Sequence, residues 1–551
     1  MDAVLLESPT VAKPPAFAPL AGLNFQSVLK ESIDRFLIEV QKESCDFSAF
    51  RSIFFRLIQS SADPPLEVIW LYSAVGYHEA IASKKDAIER VMAVKDLLQL
   101  LFACSASCGG LKSIALLAPA VSELYRCVTE AEKLSKKVAK KARREIEALV
   151  EGIISYISIC SSKSSKVEEF SDSYLLPCFV DLVRVWTVQH SCGLDGLGVL
   201  FPLVSDEIRG QFRKEGCGTG YLAGVVVTEA FLLRLCLKIK AAGAPRSDLQ
   251  KELRIWAVSS ITTFQNRVFF EILLRLLLDP PMPVSFLLIA FSTECYKCSM
   301  DESLVRDILY DAVILVDYSF INPGFEVERS DDSIMNLLMT RLIVTHEAIQ
   351  VARSRGDQGK AIAYINAFST SIIPNGLVNW VTKRVGLERL NRPTATTPQA
   401  LLKWFLGLEE QGLRLFEDNI LKLHSKLIFD ETKFGSDASV FNMDSKKTDA
   451  DLFFFDNRGE VAKEAAEDED METMDTAFLA AARSMKSTPS NGTKKRKEWG
   501  DEEGEEQMKF VKHKLDNSSV KEDFAPSVVH DMSSGSEVEN PASDDDMEDT
   551  D

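Results

Sequence analysis

A chain of 551 residues, 46% of them hydrophobic and with a formal charge of −19, is too long for one ordinary domain of ~100–200 residues, so several domains or one extended repeat array is expected. Its charge is unevenly placed: residues 431–551 carry −17, which leaves −2 on residues 1–430, so partners of the two parts must be considered separately. The 11 cysteines are scattered at irregular spacing, which excludes a disulfide framework and reads as reduced intracellular thiols.

Residues 1–22 hold Pro9, Pro14, Pro15 and Pro19 and read as an extended leader. Asp2 and the lack of basic flanks do not fit a signal peptide. From Leu23 the apolar residues recur at helical spacing: Val28, Ile33, Phe36, Leu37 and Val40 form one stripe, with Lys30, Glu31, Asp34 and Glu39 opposite. The pattern continues to about residue 430. Asp63-Pro64-Pro65 opens a helix over 66–81. Asp279-Pro280-Pro281, Asn322-Pro323-Gly324, Pro374-Asn375-Gly376 and Asn391-Arg392-Pro393 punctuate the remainder.

The spacing predicts fifteen to eighteen helices and hardly any period-two segment. The expected class is all-α. Segments 264–278 and 283–297 are apolar on most faces and read as inner helices. Stacked helical pairs bury such faces without one enormous core. At the level of fold the pattern resembles HEAT- or armadillo-type repeat proteins with degenerate repeats, which implies an extended α-solenoid-like body over 23–430; a nonrepetitive helical body is the alternative. The most apolar region, 269–291, is broken by Arg275 and Asp279-Pro280-Pro281, short of the ~20 apolar residues that span a bilayer. A soluble protein with no membrane partner is expected.

Glu215-Gly216-Cys217-Gly218-Thr219-Gly220-Tyr221-Leu222-Ala223 resembles, over its glycines, the motif of S-adenosylmethionine-dependent methyltransferases. That site needs a buried strand before the glycines and a carboxylate at the end of the next strand. Arg209-Gly210-Gln211-Phe212-Arg213-Lys214 cannot supply the first, and 237–242 holds no carboxylate. The segment reads as a glycine hinge before an apolar helix over 221–240.

Cys295 and Cys298 form the only Cys-x-x-Cys, without the second Cys or His pair that a structural zinc site needs. They read as packed helix cysteines. The six histidines, His78, His190, His346, His424, His513 and His530, are far apart and imply no nucleophile–base pair. No catalytic, cofactor or metal site is assigned, and no cofactor is expected.

The densest basic run before residue 430 holds Lys133, Lys136, Lys137, Lys140, Lys141 and Arg144, spaced to share one helical face, with Arg143 beside them. Such a stripe suits RNA, DNA or an acidic partner, the chain's own tail included. The plain alternative is a solvated helix face.

Residues 431–551 have a disordered composition interrupted by three elements. Phe453, Phe454 and Phe455 lie between Asp451 and Asp456. Exposed aromatics there suit a partner-docking motif or a clamp onto the body. Met471, Met474, Phe478, Leu479, Ala482 and Met485 share a helical face, which suits docking in a partner's groove or on the chain's own body. Lys494-Lys495-Arg496-Lys497, set among acidic blocks, reads as a nuclear import signal for an import receptor. Ser534, Ser536 and Ser543 precede acidic residues, as acidophilic phosphorylation sites do. A tail of this charge fits basic proteins, ribosomal proteins or histones.

These features give an expected function: a non-enzymatic scaffold of the nucleus and nucleolus in ribonucleoprotein or ribosome assembly. The alternatives are a chromatin factor or histone chaperone, and a cytoplasmic transport adaptor.

Overall fold

The computed structural model describes residues 24–42, 47–82, 87–131, 136–163, 173–188, 195–214, 216–241, 246–279, 281–290, 295–321, 332–385 and 396–412. All of them lie in one unit, Met1–Asn442. Among the described residues the chain is all-α: nineteen α-helices and no strand, with a single isolated antiparallel bridge between Tyr174 and Gly218. The surplus over the expected count comes from α5 (Gly110–Ala115), α9 (Gly196–Leu200) and α10 (Asp206–Gly210). Helices of five or six residues span less than two turns and show no legible period.

The helices pack on neighbours both near and far in sequence. α3 (Leu66–Ala82) lies against α2 (Ser48–Ser60), α4 (Ala87–Cys104) and α8 (Phe179–Thr187). With neighbours on several sides α3 must be apolar nearly all round, and Val68, Ile69, Trp70, Leu71, Ala74 and Val75 are all buried. α11 (Thr219–Ala241) plays the same part later in the chain, touching α5, α13 (Arg267–Leu278) and α7 (Lys136–Lys163). Each fully buried Leu, Val or Phe of these helices contributes ~1.5–3 kcal/mol.

Two expected helices are placed differently. The segment 264–278 is not one helix: α12 (Arg246–Phe264) ends, Gln265 takes φ 46°, and Asn266 caps α13, its Oδ1 accepting from the Phe269 amide at 2.9 Å. Within 283–297, α14 (Val284–Ala290) stops short and α15 (Cys295–Ile314) begins at the first cysteine of the Cys-x-x-Cys. The first break falls at Gln265-Asn266-Arg267, three polar residues of which Asn266 supplies the cap; residues 291–294, between α14 and α15, lie outside the described residues.

Helix C-termini are closed by arginines from later helices. Arg306 of α15 donates to Leu277 O (2.7 Å) and Asp279 O (3.3 Å) at the end of α13. Arg341 of α16 (Asp332–Ser354) donates to Ile314 O (3.3 Å) and Val316 O (2.9 Å) at the end of α15. A guanidinium satisfies orphan carbonyls and meets the negative end of the helix dipole.

Buried carboxylates staple the turns. Glu67 of α3 accepts from the Leu176 amide at 2.7 Å, and Glu229 of α11 from the Leu203 amide at 2.8 Å. No single helix among the described residues is long and apolar enough to cross a membrane.

Candidate functional site

α7, 28 residues long, carries the basic run. Its inner face is set by Ala142, Ile146, Val150, Ile153, Ile157 and Cys160, all buried and spaced by three and four. That periodicity fixes what must point outward. Lys137, Lys140, Lys141 and Arg144 are exposed, at i, i+3, i+4 and i+7. Lys133 lies outside the described residues. Lys136 is the first residue of α7, and its side chain lies outside them as well. Arg143, expected beside the stripe, is half-buried and pairs with Glu147 at 3.4 Å.

The four cations gain nothing from the fold. Among the described residues none of them makes an ion pair, and the first turn of α7 holds no acidic residue. Lys137 and Lys141, and Lys140 and Arg144, are like charges four apart, each pair costing ~0.2–0.5 kcal/mol. Lysine beside the positive end of a helix dipole forfeits the ~0.3–1 kcal/mol that a carboxylate would gain there. A concentration of unbalanced positive charge is what the stripe offers chemically, an attraction for phosphate or carboxylate groups.

The same outer face continues beyond the basic run, which the reading of charge alone overlooked. From Arg144, steps of four, four, three and four reach Ala148, Gly152, Ser155 and Ile159, all exposed, Ile159 by 52%. A Cβ added at Gly152 meets nothing within 4 Å. Glu145 stands exposed at one flank; at the other, Glu151 is tied to Arg234 of α11 at 2.5 Å. The signal was present as a 3.6-residue period of small residues within the helix.

The glycine segment 216–220 is committed to the fold. Gly216 takes φ 82°, the Leu175 amide donates to Cys217 O (2.9 Å), and Thr219 donates through its amide (2.9 Å) and hydroxyl (2.8 Å) to Ser173 O. At the glycine segment expected as a hinge, these bonds pair the chain with 173–175 as it enters α11. In place of the strand required by the methyltransferase-like pattern, Gln211–Arg213 is a 3-10 turn.

His78 is packed within α3 near Phe36, Tyr77 and Trp186, a ring nitrogen 3.0 Å from Val185 O, and burial lowers its pKa. Among the described residues no group of three or more His, Cys, Asp or Glu could hold a metal ion. Phe453, Phe454, Phe455, Met474, Phe478, Leu479, Met485, the Lys494–Lys497 cluster and Ser534, Ser536 and Ser543 lie outside the described residues.

No family model, curated protein or solved structure matches this chain.

Proposed function

We propose that this protein is a non-enzymatic scaffold of the nucleus, concentrated in the nucleolus, that binds protein partners and RNA during ribonucleoprotein or ribosome assembly. The observation that carries the reading is the row of exposed cations on α7, without ion-pair partners among the described residues. Unbalanced positive charge concentrated on one open helix face attracts carboxylate and phosphate groups of partners.

The architecture supports it further. Consecutive helices laid side by side, as α2 with α3 and α3 with α4, and arginines closing the ends of earlier helices suit a body of stacked helical pairs of the HEAT or armadillo kind, whose long surfaces hold partners. The acidic stretch 431–551 complements basic ribosomal proteins, and Lys494–Lys497 supplies an import address.

The test is to express the tagged full-length chain with and without Lys494–Lys497 and to identify what co-purifies. Nucleolar signal that is lost without the cluster, with pre-ribosomal proteins recovered in an RNA-dependent way, supports the reading. Histones recovered without RNA favour a histone chaperone, which the same acidic charge would serve. Cytosolic signal from the intact chain favours a transport adaptor and overturns the nuclear assignment.

A further inference from the structure

We infer that the outer face of α7 is a docking track for an acidic amphipathic helix of a partner protein, which lies antiparallel along it with carboxylates over Lys137, Lys140, Lys141 and Arg144 and a small-to-medium apolar edge over Ala148, Gly152, Ser155 and Ile159. The inference names the partner class for one surface of the proposed scaffold and rests on that reading for the premise that partners are bound.

Two independent observations meet on this face. The first is charge: four exposed cations, without ion pairs among the described residues, occupy about two turns at the end where the helix dipole is already positive. The second is shape. Glycine in the interior of an exposed helix costs ~1 kcal/mol against alanine, and nothing stands within 4 Å of where its side chain would be, so the fold itself does not need Gly152. Ala148 one turn before it and Ser155 one turn after it keep the ridge low, while Ile159 offers exposed apolar area at the far end. Small residues in a row let a second helix approach to the ~8–10 Å of close helix packing.

Together they favour a helix over nucleic acid. A phosphate backbone would use the cations but has no use for a low ridge ending in isoleucine, and no aromatic residue on this face could stack a base. A partner helix uses both halves. The antiparallel sense follows from the dipoles: the partner's negative C-terminal end, enriched in carboxylates, then meets the positive start of α7.

The experiment uses the full-length chain and a fluorescent amphipathic peptide of about 25 residues, long enough at 1.5 Å per residue to follow the face. Glutamates at i, i+3, i+4 and i+7 occupy its C-terminal half, and alanine and leucine continue the same face in its N-terminal half. Controls are a peptide with the glutamates moved to the opposite face and a single-stranded RNA. The expected result is saturable binding of the first peptide, weakened about tenfold or more by Lys137→Glu/Lys141→Glu and, separately, by Gly152→Leu. Leucine at 152 has free space and better helix propensity, so circular dichroism and Tm should show an intact fold.

Failure of the peptide to bind, or binding indifferent to Gly152→Leu, overturns the inference. RNA binding lost on charge reversal but untouched at Gly152 assigns the cations to phosphate instead. None of these readouts depends on Lys494–Lys497, so the inference and the nuclear assignment fail separately.

Discussion

Gly224 of α11 lies so close to Val268 of α13 that a Cβ at Gly224 would stand 2.5 Å from Val268 Cγ1 and 3.2 Å from the Phe269 amide nitrogen. A short β-branched side chain and a backbone atom cannot both move aside. Gly224→Ala is therefore expected to lower stability by about 1–3 kcal/mol, overpacking outweighing the gain in helix propensity. Val268→Ala in the same chain should recover part of the loss. Thermal denaturation of the single and double variants checks both.

The ion pair of Glu123 and Arg126 on α6 (Ala118–Ala131) is buried, and among the described residues Glu123 Oε2 and Arg126 Nε and Nη1 have no hydrogen-bond partner. Burial lowers the Arg126 pKa to about 10. Desolvation on this scale consumes most of the attraction. Arg126→Leu alone, which strands the carboxylate, should cost about 3–5 kcal/mol, whereas Glu123→Leu/Arg126→Leu should cost far less than the sum of the single changes. Urea titrations of the three variants measure the coupling.

Glu229 lies wholly inside, and burial pushes its carboxyl pKa from 4.5 up to about 8, against the lowering effect of amide hydrogen bonds from Leu203 and Val204. The folded state therefore holds a proton that the unfolded state has released between those values. Stability from this group is full below pH ~4.5, falls as pH rises and is gone above ~8. Glu229→Gln keeps an acceptor for the 201–204 turn without the titration. The variant should be more stable than the parent at pH 8.5 by a few kcal/mol (~1–4) and show a flatter Tm between pH 5 and 8. A parent–variant difference that does not change with pH contradicts this.

The junction of α12 and α13 combines a residue in a strained region with a cap. Gln265 at φ 46° carries a side chain in left-handed backbone, and Asn266 caps through the Phe269 amide. Gln265→Gly should raise stability by about 0.5–1 kcal/mol, and Asn266→Ala should lower it by about 1 kcal/mol. Denaturant midpoints of the two variants should move in opposite directions.

Much of the helical content was legible because its cause is local. The stripe of Ile33, Phe36 and Leu37 lies within α1 (Asn24–Gln41) and is buried, and the segment after Asp63-Pro64-Pro65 is α3, starting at Leu66 as expected. The break at Gln265 was only partly legible: Gln265-Asn266-Arg267 interrupt the apolar run and Asn266 is a residue type that caps helices, but the left-handed φ of Gln265 leaves no mark in hydropathy. On α7 the spacing of the cations was readable, but the low ridge of Ala148, Gly152 and Ser155 depended on knowing which face is covered.

The sequence by itself determined the all-α class and the common face of Lys137, Lys140, Lys141 and Arg144, since a period of 3.6 is a property of neighbours along the chain. Tertiary structure alone decided which face of α7 stays open, that Ser173 and Leu175 hold the glycine segment 217–219, and that Arg306 and Arg341 close helices formed earlier in the chain. Those outcomes rest on contacts between residues twenty-five or more positions apart, from Arg341 with Val316 to Arg234 with Glu151, and no local pattern records a partner at that separation because packing, not propensity, selects it.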